Sequence, residues 1–381
     1  MNIVTLHQPP RIVFGNGCAP QCADFLAQHG VKRVLLVSST PVLPLLGAVT
    51  DALKKSGVAL LVSVPVDREP TQEVFENILS AARTEKIDGV LGIGGGSAID
   101  VAKLVAALIS GKQTASEVFG INLLRGRDLP LVCLPTTAGT GAEVSPNAIL
   151  LDVSDELKKG VVSPHLVPDA AFVDPLLTVS VPSAVTAATG LDALTHCIEA
   201  YANKFAHPIV DTYALQGIQL ISANLVRAVR DGQDVDARAA LALGSLYGGL
   251  CLGPVNTAAV HALAYPLGGK FHIAHGVSNA LLLPHVLRFN YSVAPERYAE
   301  IAAALGIARN GSDLSAAEYG VEYLSQLSRD CGVPQKLSVL NIPRAAIPEM
   351  AKSAMKVTRL LKNNPRELAE ADAVGIYEAA Y

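Results

Sequence analysis

The second half of this 381-residue chain holds two pairs of side chains that could bind a metal. His261 and His275 lie fourteen positions apart in a stretch that also contains Pro266 and several glycines. Asp192 and His196 lie four positions apart, so on a helix both side chains point the same way. Three imidazoles and a carboxylate suit a borderline divalent metal such as Fe(II) or Zn(II). We therefore predict that these four residues meet around one metal.

Each pair also has an ordinary explanation. A spacing of four residues often arises by chance, and a solvated carboxylate beside a core histidine would show the same spacing. The chain has 9 histidines, so His261 and His275 alone would not be unusual. The two pairs gain weight together because both fall in the half with helical patterns, whereas the residues suited to a nucleotide fall in the other half. A ligand site between two domains is the expected geometry for such a chain.

Three consecutive glycines at 94–96, followed by Ser97, separate a predicted strand from a predicted helix. Glycines let a backbone approach a phosphate closely, and the start of a helix offers free N–H groups and a positive dipole end. Ser97 would be the N-cap, and Asp100, three residues later, would complete a capping box. A tight, capped turn is the alternative. Three glycines exceed what a cap needs, so phosphate binding is favoured, although the run is not the dinucleotide fingerprint GxGxxG.

Residues 135–146 follow the next predicted strand and are rich in hydroxyls and glycines. Such residues at the carboxyl end of a strand suit a ligand crevice in an open α/β sheet. Thr and Ser hydroxyls can donate to phosphate or carboxamide oxygens. The same hydroxyls could instead satisfy nearby backbone groups. On these residues alone, both interpretations stay open.

The elements that must position these residues change character midway along the chain. The first half alternates apolar, β-rich runs with helical patterns, which is typical of a parallel sheet covered on both faces. The predicted strands span 11–15, 33–37, 59–64, 89–93 and 131–135, with further candidates at 148–152 and 170–173. The predicted helices between them span 20–29, 42–56 and 73–85.

After about residue 182 the β-rich runs almost vanish. Predicted helices span 183–204, 210–230, 236–252 and 257–267, and several more follow. Short Gly/Pro/Asn joints separate them, and one such break is predicted between His261 and His275. We therefore predict an α/β dinucleotide-binding domain over 1–180 and an all-α metal-binding, catalytic domain over 181–381.

Composition narrows the classes of partner and compartment. Half of the residues are hydrophobic and 17% are charged, which permits a large core. A net charge of −4 and the lack of a basic run argue against nucleic acid or an anionic membrane surface as partner. The first residues do not resemble a secretory signal, and the apolar runs are cut before they reach membrane-spanning length. Six scattered cysteines without a disulfide framework indicate reduced core residues of a cytoplasmic protein.

Six stretches carry a family resemblance. The chain resembles the iron-containing (group III) alcohol dehydrogenases, which share the dehydroquinate-synthase-like fold of two domains. The matching stretches are GGGSAIDVAK (94–103), PTTAGTGAEVSP (135–146), PDAAFVDP (168–175), TAATGLDALTHCIEAY (186–201), HALAYPLGGKFHIAHGVSNALLLPHVLRFN (261–290) and NNPRELAEADAVGIYEAAY (363–381). The resemblance spans nearly the whole chain.

The resemblance implies a metal-dependent enzyme that passes hydride between NAD or NADP and a small alcohol or aldehyde, with iron or zinc polarising the substrate oxygen. Carried over position by position, the implied metal ligands are Asp192, His196, His261 and His275. The implied cofactor contacts are Gly95, Gly96, Ser97 and Asp100 at the pyrophosphate, Thr136, Thr137, Thr140 and Ser145 along the nicotinamide half, Lys158 in a loop near the ribose, and Leu176 near the adenosine. Relatives form homodimers or larger homo-oligomers.

Three positions depart from the family pattern. Ser39 stands where many relatives carry an Asp that holds the adenosine ribose, so NADP use is open. Tyr265 stands where several relatives carry another histidine, which weakens any proton relay there. Ala142 replaces a serine in the threonine-rich loop. Tyr265 and His272 are expected to line the pocket without an assigned chemical role.

Two other activities use the same fold. A lyase of the dehydroquinate-synthase type would need several Lys or Arg residues for its phosphorylated substrate, and residues 190–290 hold few. An enzyme similar to maleylacetate reductase would want cationic groups for a dicarboxylate. A non-enzymatic binding protein would tolerate the loss of a ligand or of the glycines, and none is lost.

Overall fold

The computed structural model describes residues 3–153, 157–309 and 311–381. It forms two compact units. One spans Leu6–Ser180, and the other spans Val181–Tyr381 together with residues 3–5. We call them the α/β unit and the helical unit.

The described residues of the α/β unit form nine strands in two sheets. The strands are β1 (Arg11–Phe14), β2 (Arg33–Val37), β3 (Ala59–Val62), β4 (Gly89–Gly94), β5 (Gly120–Ile121), β6 (Leu131–Pro135), β7 (Asn147–Asp152), β8 (Leu157–Val162) and β9 (Ala170–Val173). Six of them form a sheet in the order β1-β9-β6-β4-β2-β3, in which every pairing is parallel. The prediction of a parallel sheet is therefore confirmed.

Helices cover both faces of this sheet. They are α1 (Gln21–Gln28), α2 (Gly47–Lys55), α3 (Gln72–Thr84), α4 (Gly96–Leu108) and α5 (Ala115–Val118). Alternate residues of β2 enter different cores: Val34 and Leu36 pack with α1 and α2, whereas Leu35 and Val37 pack with α3 and α4. This is why the central strands are apolar throughout rather than at every second position.

Helix α4 lies very close to β4. A Cβ at Gly92 would lie 2.8 Å from the Cβ of Ala102, and a Cβ at Gly94 would lie 2.8 Å from that of Ala98. Glycine in the strand and alanine in the helix therefore let the two backbones approach. The close packing fixes where the start of α4 lies relative to the carboxyl end of β4.

A second, smaller sheet was not predicted. Its order is β5-β8-β7, with β7 and β8 antiparallel. Lys158, which we expected in a loop, lies in β8 opposite Leu151. The sequence of β8 begins with a leucine and two lysines, and this polar start hides the strand pattern.

The helical unit has no strand among its described residues. Its helices are α6 (Ser183–Tyr201), α7 (Pro208–Arg230), α8 (Val235–Leu252), α9 (Ala259–Phe271), α10 (His275–Asn290), α11 (Pro295–Ala304), α12 (Asp313–Asp330), α13 (Ile347–Ala354), α14 (Thr358–Leu361) and α15 (Glu370–Ala379). Glycines allow close contact between α6, α7 and α8. For example, a Cβ at Gly217 would lie 2.4 Å from the Cys197 sulfur.

Helix α8 is long and apolar enough to cross a membrane by composition alone. In the structure 67% of its 18-residue window is buried within the protein. It packs against α6 and α7, which is the environment of a core helix.

The predicted break between His261 and His275 is present, but it comes later than the predicted helix end at residue 267, and Pro266 does not interrupt the helix. Helix α9 continues through this proline to Phe271, and the chain turns at His272, whose φ is 55°. A proline inside a helix removes one N–H and crowds the preceding turn. The buried Tyr377 hydroxyl donates a hydrogen bond of 2.6 Å to the Leu263 carbonyl in that turn. His275 then begins α10.

Candidate functional site

Three helices of the helical unit bring Asp192, His261 and His275 together. Their potential ligand atoms all lie within 4.8 Å of one another. The Oδ1 atom of Asp192 is 3.6 Å from Nε2 of His261 and 3.6 Å from Nε2 of His275. Asp192 and His261 are buried, whereas 28% of the His275 side chain is exposed. The cluster thus has a dry side and a side that a small molecule can approach.

His196 joins this cluster through its ring. It lies one turn after Asp192 on α6, and its imidazole stacks on that of His261 with centroids 4.7 Å apart and an angle of 21°. It is outside the group of three atoms within 4.8 Å. The four residues singled out in the sequence are therefore neighbours, with three ligand atoms converging and the fourth ring alongside.

Glu199, which was not among the predicted site residues, holds His261 in place. Its Oε2 is 2.6 Å from Nδ1 of His261, and its Oε1 accepts a hydrogen bond of 2.6 Å from the Val260 N–H. A carboxylate partner places the proton on Nδ1 and leaves Nε2 free to bind a metal. Asp192, His196 and Glu199 follow the spacing of one helix face, which is the pattern that could have revealed it.

Asn279 is a second neighbour that the sequence did not indicate. It lies one turn after His275 on α10, and its side-chain nitrogen donates to Asp192 Oδ1 at 2.6 Å. The same nitrogen is 3.2 Å from Nε2 of His275. This amide therefore links the carboxylate from α6 to the start of α10.

The donor set fits a divalent metal. Nε2 of His261 is buried and has no hydrogen-bond partner among the described residues, although a buried nitrogen normally has one. Burial would raise the pKa of Asp192, but His196, His275 and His261 hold it well below its ordinary value, so the carboxylate is charged. Fe(II) and Zn(II) bind such donors, here a buried carboxylate oxygen and, 3.6 Å from it, an imidazole nitrogen that makes no hydrogen bond among the described residues.

The glycine run in the α/β unit differs in detail from its prediction. Helix α4 begins at Gly96 with Gly95 as its N-cap, so Ser97 is inside the first turn and is not the cap. A Cβ at Gly96 would lie 2.7 Å from Thr140, and a Cβ at Gly95 would lie 3.6 Å from the Thr137 hydroxyl. The start of α4 and the threonine-rich loop therefore form one surface, because glycine leaves no side chain between them.

The predicted capping box with Asp100 is also wrong. The Asp100 carboxylate instead accepts a hydrogen bond of 3.0 Å from the Ile149 N–H on β7. Because the N-cap is Gly95 and not Ser97, the helix starts two residues earlier than expected, and Asp100 lies beyond the position from which it could reach the cap. Burial raises the pKa of Asp100 to about 7.

Lys103, one turn further along α4, is fully buried and ties the threonine-rich loop to the helix. Its ammonium donates to the carbonyl oxygens of Ser145 at 2.7 Å and Asn147 at 2.9 Å. Thr136 fixes the other end of the loop, since its N–H donates to the Gly94 carbonyl at 2.9 Å. The glycine run and the threonine-rich loop are thus connected to each other by hydrogen bonds.

The other predicted cofactor residues lie at several places in the α/β unit. Ser39 follows β2, and its neighbour Thr40 donates from N–H and hydroxyl to Asp67, each at 2.7 Å. Lys158 is ion-paired with Glu69 at 2.7 Å. Leu176 is 42% exposed on a short 3-10 helix, Pro175–Thr178. Lys158 is close enough to Asp100 on α4 to lower the pKa of that carboxyl, against the larger effect of burial.

Tyr265 and His272 have different surroundings. The Tyr265 ring lies 6.5 Å from the His275 ring, and its hydroxyl accepts a hydrogen bond of 2.7 Å from Arg359. His272 is exposed at the end of α9. Of the two predicted pocket residues, Tyr265 is therefore the one that contacts a histidine of the cluster.

Comparison with known proteins finds two family models that match this chain. Residues 9–175 match a family model described as iron-containing alcohol dehydrogenase, and residues 186–381 match the C-terminal model of the Fe-containing alcohol dehydrogenase family. Long-chain-alcohol dehydrogenase 1 of Geobacillus thermodenitrificans is 41% identical over 391 residues, covering 100% of this chain and 98% of the relative. NAD-dependent methanol dehydrogenase of Bacillus methanolicus is 31% identical, covering 98% of each. A crystal structure of 1,3-propanediol oxidoreductase matches with a TM-score of 0.96 at 34% identity, covering 100% of both chains.

Proposed function

The chain belongs to the iron-containing alcohol dehydrogenase family, and we propose that Asp192, His196, His261 and His275 hold its metal. Homologues across the whole chain are alcohol dehydrogenases and an aldehyde reductase, and this chain is an oxidoreductase of the same kind. The observation that carries the ligand assignment is the buried Nε2 of His261, which lacks a hydrogen-bond partner among the described residues and faces a charged Asp192.

The residues of the cluster have separate tasks in this proposal. Asp192 supplies the negative charge, and the three imidazoles supply neutral donors. Glu199 keeps the Nδ1 proton of His261 in place, and Asn279 orients the Asp192 carboxylate. Fe(II) held by such a set would supply Lewis-acid chemistry, which would favour loss of an alcohol proton or polarise an aldehyde carbonyl. Zn(II) is the alternative metal for the same donors.

We propose NAD as the nicotinamide cofactor. A relative that covers 98% of this chain is an NAD-dependent methanol dehydrogenase. Ser39 replaces the expected Asp, but its neighbour Thr40 donates two hydrogen bonds to the Asp67 carboxylate. These two hydrogen bonds lower the pKa of Asp67. A carboxylate at that place disfavours the 2′-phosphate of NADP. The ratio of kcat/KM for NADH and NADPH tests this choice, and a preference for NADPH would reverse it.

The assembly and compartment are also proposals. We propose a homodimer in which strand β1, one of the two edge strands of the parallel sheet, pairs with a second copy. All six cysteines are free and buried, which supports a reducing compartment such as the cytoplasm. Light scattering coupled to size-exclusion chromatography would measure the oligomeric state.

The ligand proposal is tested by metal content and turnover together. We expect His261→Ala and Asp192→Asn to lose most bound iron and to lower ethanol or propanal turnover by at least about a hundredfold, because each leaves the remaining donors incomplete. His7→Ala, which removes an exposed imidazole, is the control and should resemble the wild type. Undiminished metal content and turnover in both ligand variants would refute the proposal.

A further inference from the structure

Arg359 lies beside the candidate metal cluster through Tyr265. It is in the first turn of α14, and its guanidinium donates a hydrogen bond of 2.7 Å to the Tyr265 hydroxyl. The central guanidinium carbon is 5.9 Å from the centre of the Tyr265 ring. This contact fixes the position of the cation against α9.

Tyr265 connects this cation with the proposed ligands. It lies one turn after His261 on α9, so both side chains leave the helix on the same side. Its ring is 6.5 Å from that of His275, the most exposed member of the cluster. The Arg359 guanidinium and the His275 imidazole therefore flank the same tyrosine.

The charge of Arg359 is not balanced by a carboxylate among the described residues. Some arginines of the helical unit have such partners, for example Arg297 with Asp211 and Arg344 with Glu378. Others use their donors on neutral oxygens, as Arg238 does on two carbonyls and the Thr186 hydroxyl. The side chain of Arg359 is half-buried, and the Tyr265 hydroxyl is its one hydrogen-bond partner in the described part of the chain. A guanidinium has five N–H groups in a planar fork, so most of its donors remain available.

We propose that Arg359 and Tyr265 form an anion-binding subsite that selects substrates with a carboxylate at the end opposite the reacting carbon. A planar guanidinium binds a carboxylate through two parallel hydrogen bonds, which also fixes its orientation. The substrate class is then short ω-oxo acids and the matching ω-hydroxy acids. Reduction takes hydride from NADH and one proton from solvent, and it yields the hydroxy acid and NAD⁺. The inference rests on the proposed function and narrows its substrate.

The purely structural alternative is that Arg359 only fastens α14 to α9. In that case its loss would affect all substrates equally, whether or not they carry a charge. A matched pair of aldehydes separates the two roles. Butanal and 4-oxobutanoate have the same chain length and differ in the terminal carboxylate.

The experiment measures kcat/KM for both aldehydes with the metal-loaded enzyme and NADH. We expect wild type to prefer 4-oxobutanoate. Arg359→Gln should lower kcat/KM for 4-oxobutanoate about 10- to 100-fold, mainly through KM, because it removes a hydrogen bond to a charged group. Butanal should change less than about twofold. Arg359→Lys should recover part of the loss, and Tyr265→Phe should give an intermediate loss because the cation is no longer fixed.

Lys356→Gln is the control, since it removes an exposed charge from the segment just before α14. Equal losses for both aldehydes, or no preference in the wild type, would overturn the proposal. Binding of butanoate, followed by saturation-transfer NMR, tests the subsite without turnover. Loss of that signal in Arg359→Gln supports the subsite, and an unchanged signal overturns it. Failure of wild type to reduce butanal would instead refute the proposed function.

Discussion

At the scale of single residues, the cluster depends on a carboxylate that does not itself face the proposed metal. Glu199 uses one oxygen for the imidazole of His261 and the other for the Val260 N–H at the start of α9. Ring and helix are thus fixed by the same side chain. A glutamine has only one acceptor oxygen, so it cannot serve both groups in the same way.

We predict that Glu199→Gln weakens metal binding about 10- to 100-fold, as is typical when the partner of a ligating histidine is lost. The dissociation constant is measured by competition with a chelator on metal-free protein. Glu296→Gln, an exposed substitution on α11, should leave that constant unchanged. If Glu199→Gln binds iron as tightly as the wild type, Glu199 is only a helix-packing residue.

The sequence indicated the four proposed ligands because two pairs of residue types that bind metals fall together in the helical half of the chain. Glu199 shares a helix face with Asp192 and His196, but that spacing alone does not assign it a role, and no pattern in the sequence indicates Asn279, since one glutamate or one asparagine on a helix has many ordinary uses. Their roles depend on how α6, α9 and α10 pack. Arg359 is 84 positions from His275 along the chain, and only the fold brings it to the Tyr265 hydroxyl.

At the scale of elements, the start of α4 and the threonine-rich loop work as one part. Lys103 connects them by donating to the carbonyls of Ser145 and Asn147. Burial lowers its pKa, while Asp100 acts in the opposite direction. A buried lysine that makes these bonds therefore positions the loop without needing to touch a cofactor.

We predict that Lys103→Met weakens NADH binding about tenfold or more and lowers the free energy of unfolding by about 1–3 kcal/mol, because two buried carbonyls lose their donor. NADH binding is measured by titration calorimetry. Lys103→Arg should recover part of the affinity. Lys112→Met removes an exposed lysine and serves as control, since 78% of its side chain is exposed. Unchanged NADH affinity in Lys103→Met would show that the loop does not need this tie.

The alternation of strands and helices could be predicted from the sequence because buried parallel strands are apolar on both faces. Element ends were less readable. Helix α9 continues through Pro266 because the buried packing around it outweighs the loss of one hydrogen bond, and no local pattern reports that packing. Strand β8 was hidden by Lys158 and Lys159, which make ion pairs with Glu69 and Asp152.

At the scale of the whole molecule, buried acidic groups couple stability to pH. Burial raises the pKa of Glu143 to about 7, against the smaller opposing effects of its own backbone N–H and of Lys103. In the unfolded chain a glutamate has a pKa of about 4.3. Between these values the folded state holds a proton that the unfolded state has lost, so stability falls as pH rises and levels off above about pH 7.

We predict that Glu143→Gln removes this part of the pH dependence. As the pH rises from 4.5 to 8, the wild type should lose stability that the variant keeps. The free energy of unfolding of the variant minus that of the wild type should therefore rise by at most about 3 kcal/mol, at roughly 1.36 kcal/mol per pKa unit. Urea unfolding followed by circular dichroism measures it, since the chain has 0 tryptophans. Glu318→Gln is the exposed control. Parallel pH profiles for wild type and Glu143→Gln would contradict the prediction.

The six buried thiols allow local unfolding to be measured separately in each unit. Cys18, Cys22 and Cys133 belong to the α/β unit, and Cys197, Cys251 and Cys331 belong to the helical unit. Burial raises the pKa of Cys133 and of Cys197 to about 12, so a thiol reagent reaches a reactive thiolate only when the structure around it opens. The rate at which each cysteine is labelled under native conditions therefore reports how often its surroundings unfold locally. Removing the metal with a chelator, or adding NADH, would change the labelling rate of the cysteines in one unit more than in the other. Mass spectrometry of the labelled peptides would show in which unit the rate changed.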